Sequence, residues 1–210
     1  MQETSTLLSI GTALLIGAAS PGPSFVMVAK TAVTSGRLNG LSTAMGMGAG
    51  GFLFATLALC GLNGLLLTVP VLYLCLKLAG GLYLAYLGLK IWRGATQPLL
   101  MATDIPQRTP GNCIKNAAIG FSTQLGNPKT AIVYASVFAT FLPPTPSFGF
   151  NCTLVALVFL IETGWYSIVA VLLSSATPRR QYLRHKAWLD RLAGGVMMAL
   201  GLKLAASASH

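Results

Sequence analysis

The sequence predicts an all-α integral membrane protein of six transmembrane helices, built as an inverted three-plus-three repeat with both termini on the outer face. Composition is the first reason. Hydrophobic residues make up 54% of the 210 residues, charged residues only 9%, and mean hydropathy is +0.70, whereas a soluble domain carries about a quarter charged residues. The second reason is a set of six apolar runs, at 5–30, 39–61, 69–92, 115–142, 149–176 and 189–206, each long enough to cross a hydrocarbon core of roughly 30 Å. The third is the placement of charge. Lys30, Arg37, Lys90, Arg93, Arg108, Lys115, Arg179, Arg180, Arg184, Lys186 and Arg191 lie in or beside the first, third and fifth connections, while the second and fourth carry no charge. That alternation is the positive-inside pattern, and it places the odd connections in the cytoplasm.

The first run, 5–30, is interrupted by Ser20-Pro21-Gly22-Pro23. It resembles a signal peptide only superficially. Its start carries Glu3 and no Lys or Arg, and the apolar character continues past Pro23 through Phe25-Val26-Met27-Val28-Ala29. After the turn Ser35-Gly36-Arg37, the second run holds two small-residue pairs, Gly36 with Gly40 and Gly46 with Gly50. In lipid such pairs let helix backbones approach, because apolar side chains gain little by leaving lipid tails. A break is expected from Gly61 to Pro70, then the third run with Gly80, Gly81 and Gly88.

The polar stretch from Gly94 to Gly111 separates two halves, giving a single transmembrane domain over 1–210: repeat one at 1–93, a cytoplasmic loop at 94–114, and repeat two at 115–210. The fourth run contains the second interruption, Gly126-Asn127-Pro128-Lys129. Pro23 and Pro128 lie 105 residues apart, half the chain. A further trace of duplication links the third and sixth runs: Leu78-Ala79-Gly80-Gly81 recurs as Leu192-Ala193-Gly194-Gly195, and Leu87-Gly88-Leu89-Lys90 as Leu200-Gly201-Leu202-Lys203. Because each unit has three spans, the second is inserted with opposite topology, an arrangement suited to alternating access about a central site. Pro143-Pro144-Thr145-Pro146 and Pro178-Arg179-Arg180 are expected to separate the last three helices. The small-residue faces are compatible both with a homo-oligomer and with full use inside one bundle.

Ser20-Pro21-Gly22-Pro23, Leu76-Lys77-Leu78-Ala79-Gly80-Gly81-Leu82-Tyr83-Leu84 followed by Tyr86-Leu87-Gly88, and Asn127-Pro128-Lys129 with Phe141-Leu142-Pro143 resemble, in content and order, the motifs of the LysE/RhtB family of amino-acid exporters. The resemblance implies a multi-pass protein of the bacterial inner membrane that moves amino acids out of the cytoplasm, driven by the proton gradient. Members carry lysine and arginine, homoserine and threonine, leucine and other neutral amino acids, or cysteine-pathway metabolites. Two departures are visible. Several members have an acidic residue just after the glycines of the second helix, where this chain reads Gly48-Ala49-Gly50-Gly51-Phe52, so no cation-coupling role is carried over to that place. Members often follow the proline closing the fourth helix with glutamine and phenylalanine, where this chain has Pro144-Thr145-Pro146.

An amino-acid zwitterion needs one partner for its carboxylate and another for its ammonium. Residues after Pro23 and Pro128 begin new half-helices whose free N–H groups suit a carboxylate. The candidate substrate-binding residues are therefore Ser20, Pro21, Gly22, Pro23, Ser24, Asn127, Pro128, Lys129 and Thr130. At about 1.5 Å per residue, Pro128 lies roughly 20 Å into the fourth helix, near the membrane midplane. Structural kinks are the bland alternative.

Glu162, the one acidic residue near the middle of a span, costs on the order of 3 kcal/mol at the membrane centre, so it should be protonated, paired or facing a polar cavity. It is a candidate proton carrier, a partner for the substrate ammonium, or an ion-pair partner of Lys129 or Lys77. Trp165, Tyr166, Tyr83 and Tyr134 are candidate pocket walls or simple packing, and Trp92 and Trp188 candidate cytoplasmic-side anchors.

The inventory argues against an enzyme. The two histidines, His185 and His210, build no intramembrane metal site or catalytic triad, and no phosphate-binding loop is present. No cofactor is called for. The basic charge is spent on membrane orientation, not nucleic acid. Of the four cysteines, Cys60 and Cys152 are placed where a disulfide is chemically permitted, but buried free thiols are expected. A small neutral amino acid such as threonine, homoserine or leucine is favoured as cargo, since Glu162 is the one acid placed to meet a cationic side chain. A passive channel for small metabolites and a lysine exporter are the alternative readings.

Overall fold

The computed structural model describes residues 2–68, 70–97, 112–143 and 145–206, with the side chains of 2, 62–68, 70–77, 178, 179 and 204 outside that description. Among the described residues there are eight α-helices and no strand: α1 (Gln2–Ala19), α2 (Pro23–Ser35), α3 (Arg37–Thr68), α4 (Pro70–Gly94), α5 (Cys113–Leu125), α6 (Pro128–Phe141), α7 (Phe148–Leu173) and α8 (Ala176–Ala206). Eight arise from six runs because the first and fourth each fall into two half-helices. Both breaks lie where the sequence places them.

The reason is local. A proline inside a helix removes one N–H and drives its ring into the preceding turn, but it is well placed at the first position of a new helix. Pro23 opens α2 and Pro128 opens α6. The two halves of the first run diverge by 58°. By length and composition, Arg37–Gly61 and Phe148–Leu173 are apolar enough to cross a membrane, and the bent pair α1 and α2 makes a third span when read as one.

Three expected connections differ. The break from Gly61 to Pro70 is helical as far as Thr68. The turn at 35–37 contracts to Gly36, whose φ of +90° suits glycine and whose vacant Cβ position faces open space. Gly36 is thus a turn residue, not a packing surface. The break at Pro178-Arg179-Arg180 is absent, because α8 begins at Ala176 and Pro178 occupies its first turn, where no N–H is needed. Most of the loop at 94–114, including Arg108, lies outside the described residues, as does Pro144.

α3 and α7 pack on each other at the centre; α5 lies against α3, and α4 pairs with α8. Close approach is achieved through glycines. Gly46 and Gly120 bring α3 and α5 together backbone to backbone, at Ala117 and Thr43 respectively, and Gly81 and Gly88 do the same for α4 against Gly201 and Gly194 of α8. Two apolar clusters result. One surrounds Ile10, Leu14, Tyr134, Phe138, Leu154 and Val158, and the other Phe25, Val28, Met47, Tyr166 and Leu173. The polar residues of the two helix breaks lie between them. Cys60, Cys113 and Cys152 are free thiols, Cys60 and Cys152 exposed; the side chain of Cys75 is outside the description.

Candidate functional site

The two breaks meet. Asn127 Nδ2 donates to Ser24 Oγ at 2.9 Å, and Ser24 Oγ donates to Gln124 Oε1 at 2.7 Å. Lys129 Nζ donates to the Ser20 main-chain carbonyl at 2.5 Å. Residues about a hundred positions apart in the chain thus satisfy one another. In lipid the logic is severe, since an unpaired backbone group costs several kcal/mol, and a broken helix persists only where other groups take up what the break releases.

Each break has its own capping solution. Asn127, the N-cap of α6, accepts the Lys129 N–H through Oδ1 at 3.0 Å. Gly22, the N-cap of α2, has no capping side chain and an extended backbone. The first turn of α2 therefore presents its N–H groups without a side-chain partner at the cap, and Gly22 and Pro23 line an open cavity. On the other side of the break, Ser20 Oγ donates to the Gly17 carbonyl at 2.9 Å and lies 3.3 Å from Met197 Sδ.

The open cavity has a volume of about 800 Å³ and is roofed by the breaks at Pro21–Pro23 and Asn127–Lys129, with α4 and α8 supplying Tyr83, Lys90, Arg93, Lys186 and Asp190. Above it lies a void of only about 10 Å³, bounded by Ser20, Ser24, Lys129, Thr130, Tyr134, Glu162 and Tyr166. That is about the room of a single water. Gly22, Asn127 and Lys129 line both spaces. The expected central chamber is thus a wide vestibule and a closed inner pocket, with Lys129 at the partition.

Glu162, 3% exposed, faces the inner void from α7. Tyr134 OH donates to its Oε1 at 2.8 Å, while Oε2 has no hydrogen-bond partner among the described residues. Gln124, also buried, has an Nε2 with no hydrogen-bond partner among the described residues. The backbone of Gly51 backs the pair, since a Cβ at that place would lie 3.0 Å from both Tyr134 OH and Glu162 Cγ. Lys129 and Glu162 both line the inner void but close no ion pair: the lysine ammonium is held by Ser20, and among the described residues the ion pair is Lys186–Asp190, at 2.6 Å. The side chain of Lys77 lies outside the description, so its suggested pairing with Glu162 does too.

All nine candidate binding residues thus border the vestibule, the inner void or both, with Glu162 beside them. Three participants escaped the sequence reading or were underweighted in it. Gln124 is fully buried three residues before Asn127, and its signal was an amide beside the polar break. Tyr134 follows Thr130 by one turn, a spacing that packing residues share. Asp190, 3% exposed, sits at the start of the sixth run beside basic residues, and the sequence reading gave it no role.

Residues 15–208 match the model of the LysE type translocator family. The chain belongs to the LysE type translocator family. Its members are transporters, and this chain is a membrane transporter, not an enzyme. Among curated relatives, the threonine efflux protein of Escherichia coli (strain K12) is 29% identical over 197 residues, covering 94% of this chain and 96% of the relative. The threonine efflux protein of Salmonella typhi is 30% identical over 190 residues, covering 90% and 92%. An uncharacterized membrane protein of Haemophilus influenzae is 27% identical over 192 residues, covering 90% and 91%. No solved structure matches the chain significantly. The LysE type match spans both helix breaks and the Tyr134–Glu162 pair, so the whole site lies inside the family region.

Proposed function

We propose that this LysE type translocator exports a small neutral amino acid, with threonine the leading candidate, across the bacterial inner membrane by proton-coupled alternating access. The observation that carries this reading is the junction of the two helix breaks, where Asn127 bonds Ser24 and Lys129 bonds Ser20. Broken helices around a buried polar site, with half-helix ends facing it, are what a secondary transporter uses to hold a charged solute without water. Similarity to the threonine efflux proteins supports the cargo class.

In this reading the chain has six spans with both termini outside, repeat one at 1–93 and repeat two at 115–210 joined by a cytoplasmic loop at 94–114. The reciprocal glycine contacts of α4 and α8 support the repeat. The vestibule opens on the side bearing Lys90, Arg93 and Lys186, so with those residues cytoplasmic the conformation is inward-facing. The uncapped first turn of α2 receives the substrate carboxylate. Glu162 carries the counter-moving proton, with Tyr134 holding its carboxyl group in place.

The test is export from proteoliposomes loaded with L-threonine under an imposed pH gradient that is then collapsed. Export that slows on collapse supports proton coupling, whereas rates indifferent to it remove the coupling. No movement of any amino acid in the panel removes the function. Outward accumulation against a threonine gradient distinguishes a pump from a pore, since a pore concentrates nothing.

A further inference from the structure

Lys129 holds a position that a free ligand could hold in its place. Its side chain leaves the first turn of α6, crosses the face of Gly22 and ends on the Ser20 carbonyl. A Cβ at Gly22 would lie 3.1 Å from Lys129 Cδ and 3.4 Å from Nζ, so the glycine gives the lysine its path. Ser20 is 1% exposed and Lys129 8%. The side chain lines both the vestibule and the inner void, with Asp190 on the vestibule side and Glu162 on the inner side.

The chemistry of the acceptor defines what it takes. Ser20 lies at the C-terminal end of the half-helix α1, where unpaired carbonyls carry the negative end of the helix dipole. A buried carbonyl there binds a positively charged N–H donor more strongly than a neutral one. The present occupant is a primary ammonium on a flexible stem. Another primary ammonium of similar size would satisfy the same lone pair, while a quaternary ammonium has no N–H to give and an acylated amine has no charge.

We infer that the Ser20 main-chain carbonyl is a binding site for a primary alkylammonium ligand, closed in this conformation by the ammonium of Lys129, which the ligand displaces to pass from vestibule to inner void. The site deepens the export reading, on which it rests for naming the α-ammonium of an amino acid as the natural ligand. It also assigns Lys129 a role as partition rather than as the partner of Glu162.

The experiment reads access, not transport. In nanodiscs, on a background with the native cysteines replaced by alanine, Thr130→Cys reports the inner void, since Thr130 lines that void and not the vestibule. Labelling by methyl methanethiosulfonate is expected to be at least about tenfold faster with Lys129→Met than with Lys129. Ethylammonium chloride should slow labelling of the Lys129→Met protein back toward the Lys129 rate, and tetramethylammonium chloride should not. Equal rates with and without Lys129, or a Lys129→Met rate untouched by ethylammonium, would overturn the inference. Gly22→Ala, which crowds the lysine off its path without removing its charge, gives a second variant: it should also speed labelling, and an unchanged rate in it would count against the site if Lys129→Met does not fold. Export without the labelling switch sinks the subsite alone; the switch without export sinks the export reading alone.

Discussion

Gly88 of α4 lies backbone to backbone against Gly194 of α8, and Gly201 of α8 meets Gly81 of α4 in the same way. The glycine of each Leu-Gly-Leu-Lys block faces a glycine of the Gly-Gly pair on the opposite helix. In lipid, backbones approach this closely only where small residues leave room. No side chain fits there. A Cβ at either place would fall on the opposite helix's carbonyl and amide.

Gly88→Ala and Gly194→Ala should therefore each destabilise the protein by about 1–3 kcal/mol, the usual cost of forcing a methyl group into a closed contact. Gly164→Ala is the control, since nothing lies within 4 Å of its vacant Cβ position. There, relief of glycine's conformational entropy should leave stability unchanged or raise it by roughly 0.5–1 kcal/mol. Chemical denaturation in detergent micelles measures all three. Equal losses at Gly88 and Gly164 would contradict the packing described.

Asn127 and Asn112 both cap helices, and Asn127 also reaches across to Ser24 at the other helix break. Asn112 accepts the N–H groups of Ile114 and Lys115 at an exposed helix start. Asn112→Ala should cost about 1 kcal/mol, an ordinary cap. Asn127→Ala loses a cap and also leaves the buried Ser24–Gln124 pair without its third member. An unpaired buried polar group adds about 1–3 kcal/mol, so Asn127→Ala should be the more damaging of the two in the same denaturation assay.

The contrast between those asparagines reflects what a sequence can and cannot reveal. Pro23 and Pro128 were legible because proline acts on its own backbone, and the positions of both breaks follow from that chemistry alone. The meeting of the two breaks was legible at one remove, through the matched spacing of the halves. Gln124 and Asp190 were not, and Tyr134 was legible as a candidate pocket wall but not as the partner of Glu162, because such roles depend on which neighbour a helix rotation brings near. A tyrosine one turn from Thr130 reads as packing until Glu162 is seen opposite its hydroxyl. The helical course of residues 61–68 and of Pro178 was misread for a related reason: Gly and Pro mark connections on average, yet a proline in a first turn and a glycine in an otherwise apolar helix interrupt nothing.

Tyr134 OH supplies the hydrogen bond that Glu162 has in the inner pocket, at Oε1. Tyr134→Phe removes it without changing shape and leaves neither carboxylate oxygen a hydrogen-bond partner among the described residues. A hydrogen bond to a charged group contributes about 1.5–3 kcal/mol, so export in proteoliposomes should fall by about tenfold or more, each factor of ten being about 1.4 kcal/mol. Glu162→Gln should go further and make any residual export indifferent to an imposed pH gradient. A Glu162→Gln protein that still slows when the gradient collapses would take proton carriage away from this residue.

Lys186 and Asp190 form the buried ion pair at the vestibule wall, one helical turn apart on α8, with Lys186 Nζ also 3.4 Å from the carbonyl of Ala95 just beyond α4. The pair therefore ties the basic end of α8 to the end of α4 and keeps two charges satisfied at the cavity wall. Removing one partner strands the other, which costs about 3–5 kcal/mol, whereas replacing both by apolar residues of similar volume is often close to neutral. Asp190→Leu and Lys186→Met should each be strongly destabilising, and the double variant should be more stable than either single one. A double-mutant cycle by chemical denaturation measures the coupling. Asp190 also shares the vestibule wall with Lys129, so the two single variants should differ in transport where they agree in stability. Asp190→Leu removes a carboxylate from the approach to Lys129 and should change threonine export, while Lys186→Met leaves that carboxylate in place. Additive losses in the cycle would mean that the two side chains, 2.6 Å apart, do not depend on each other.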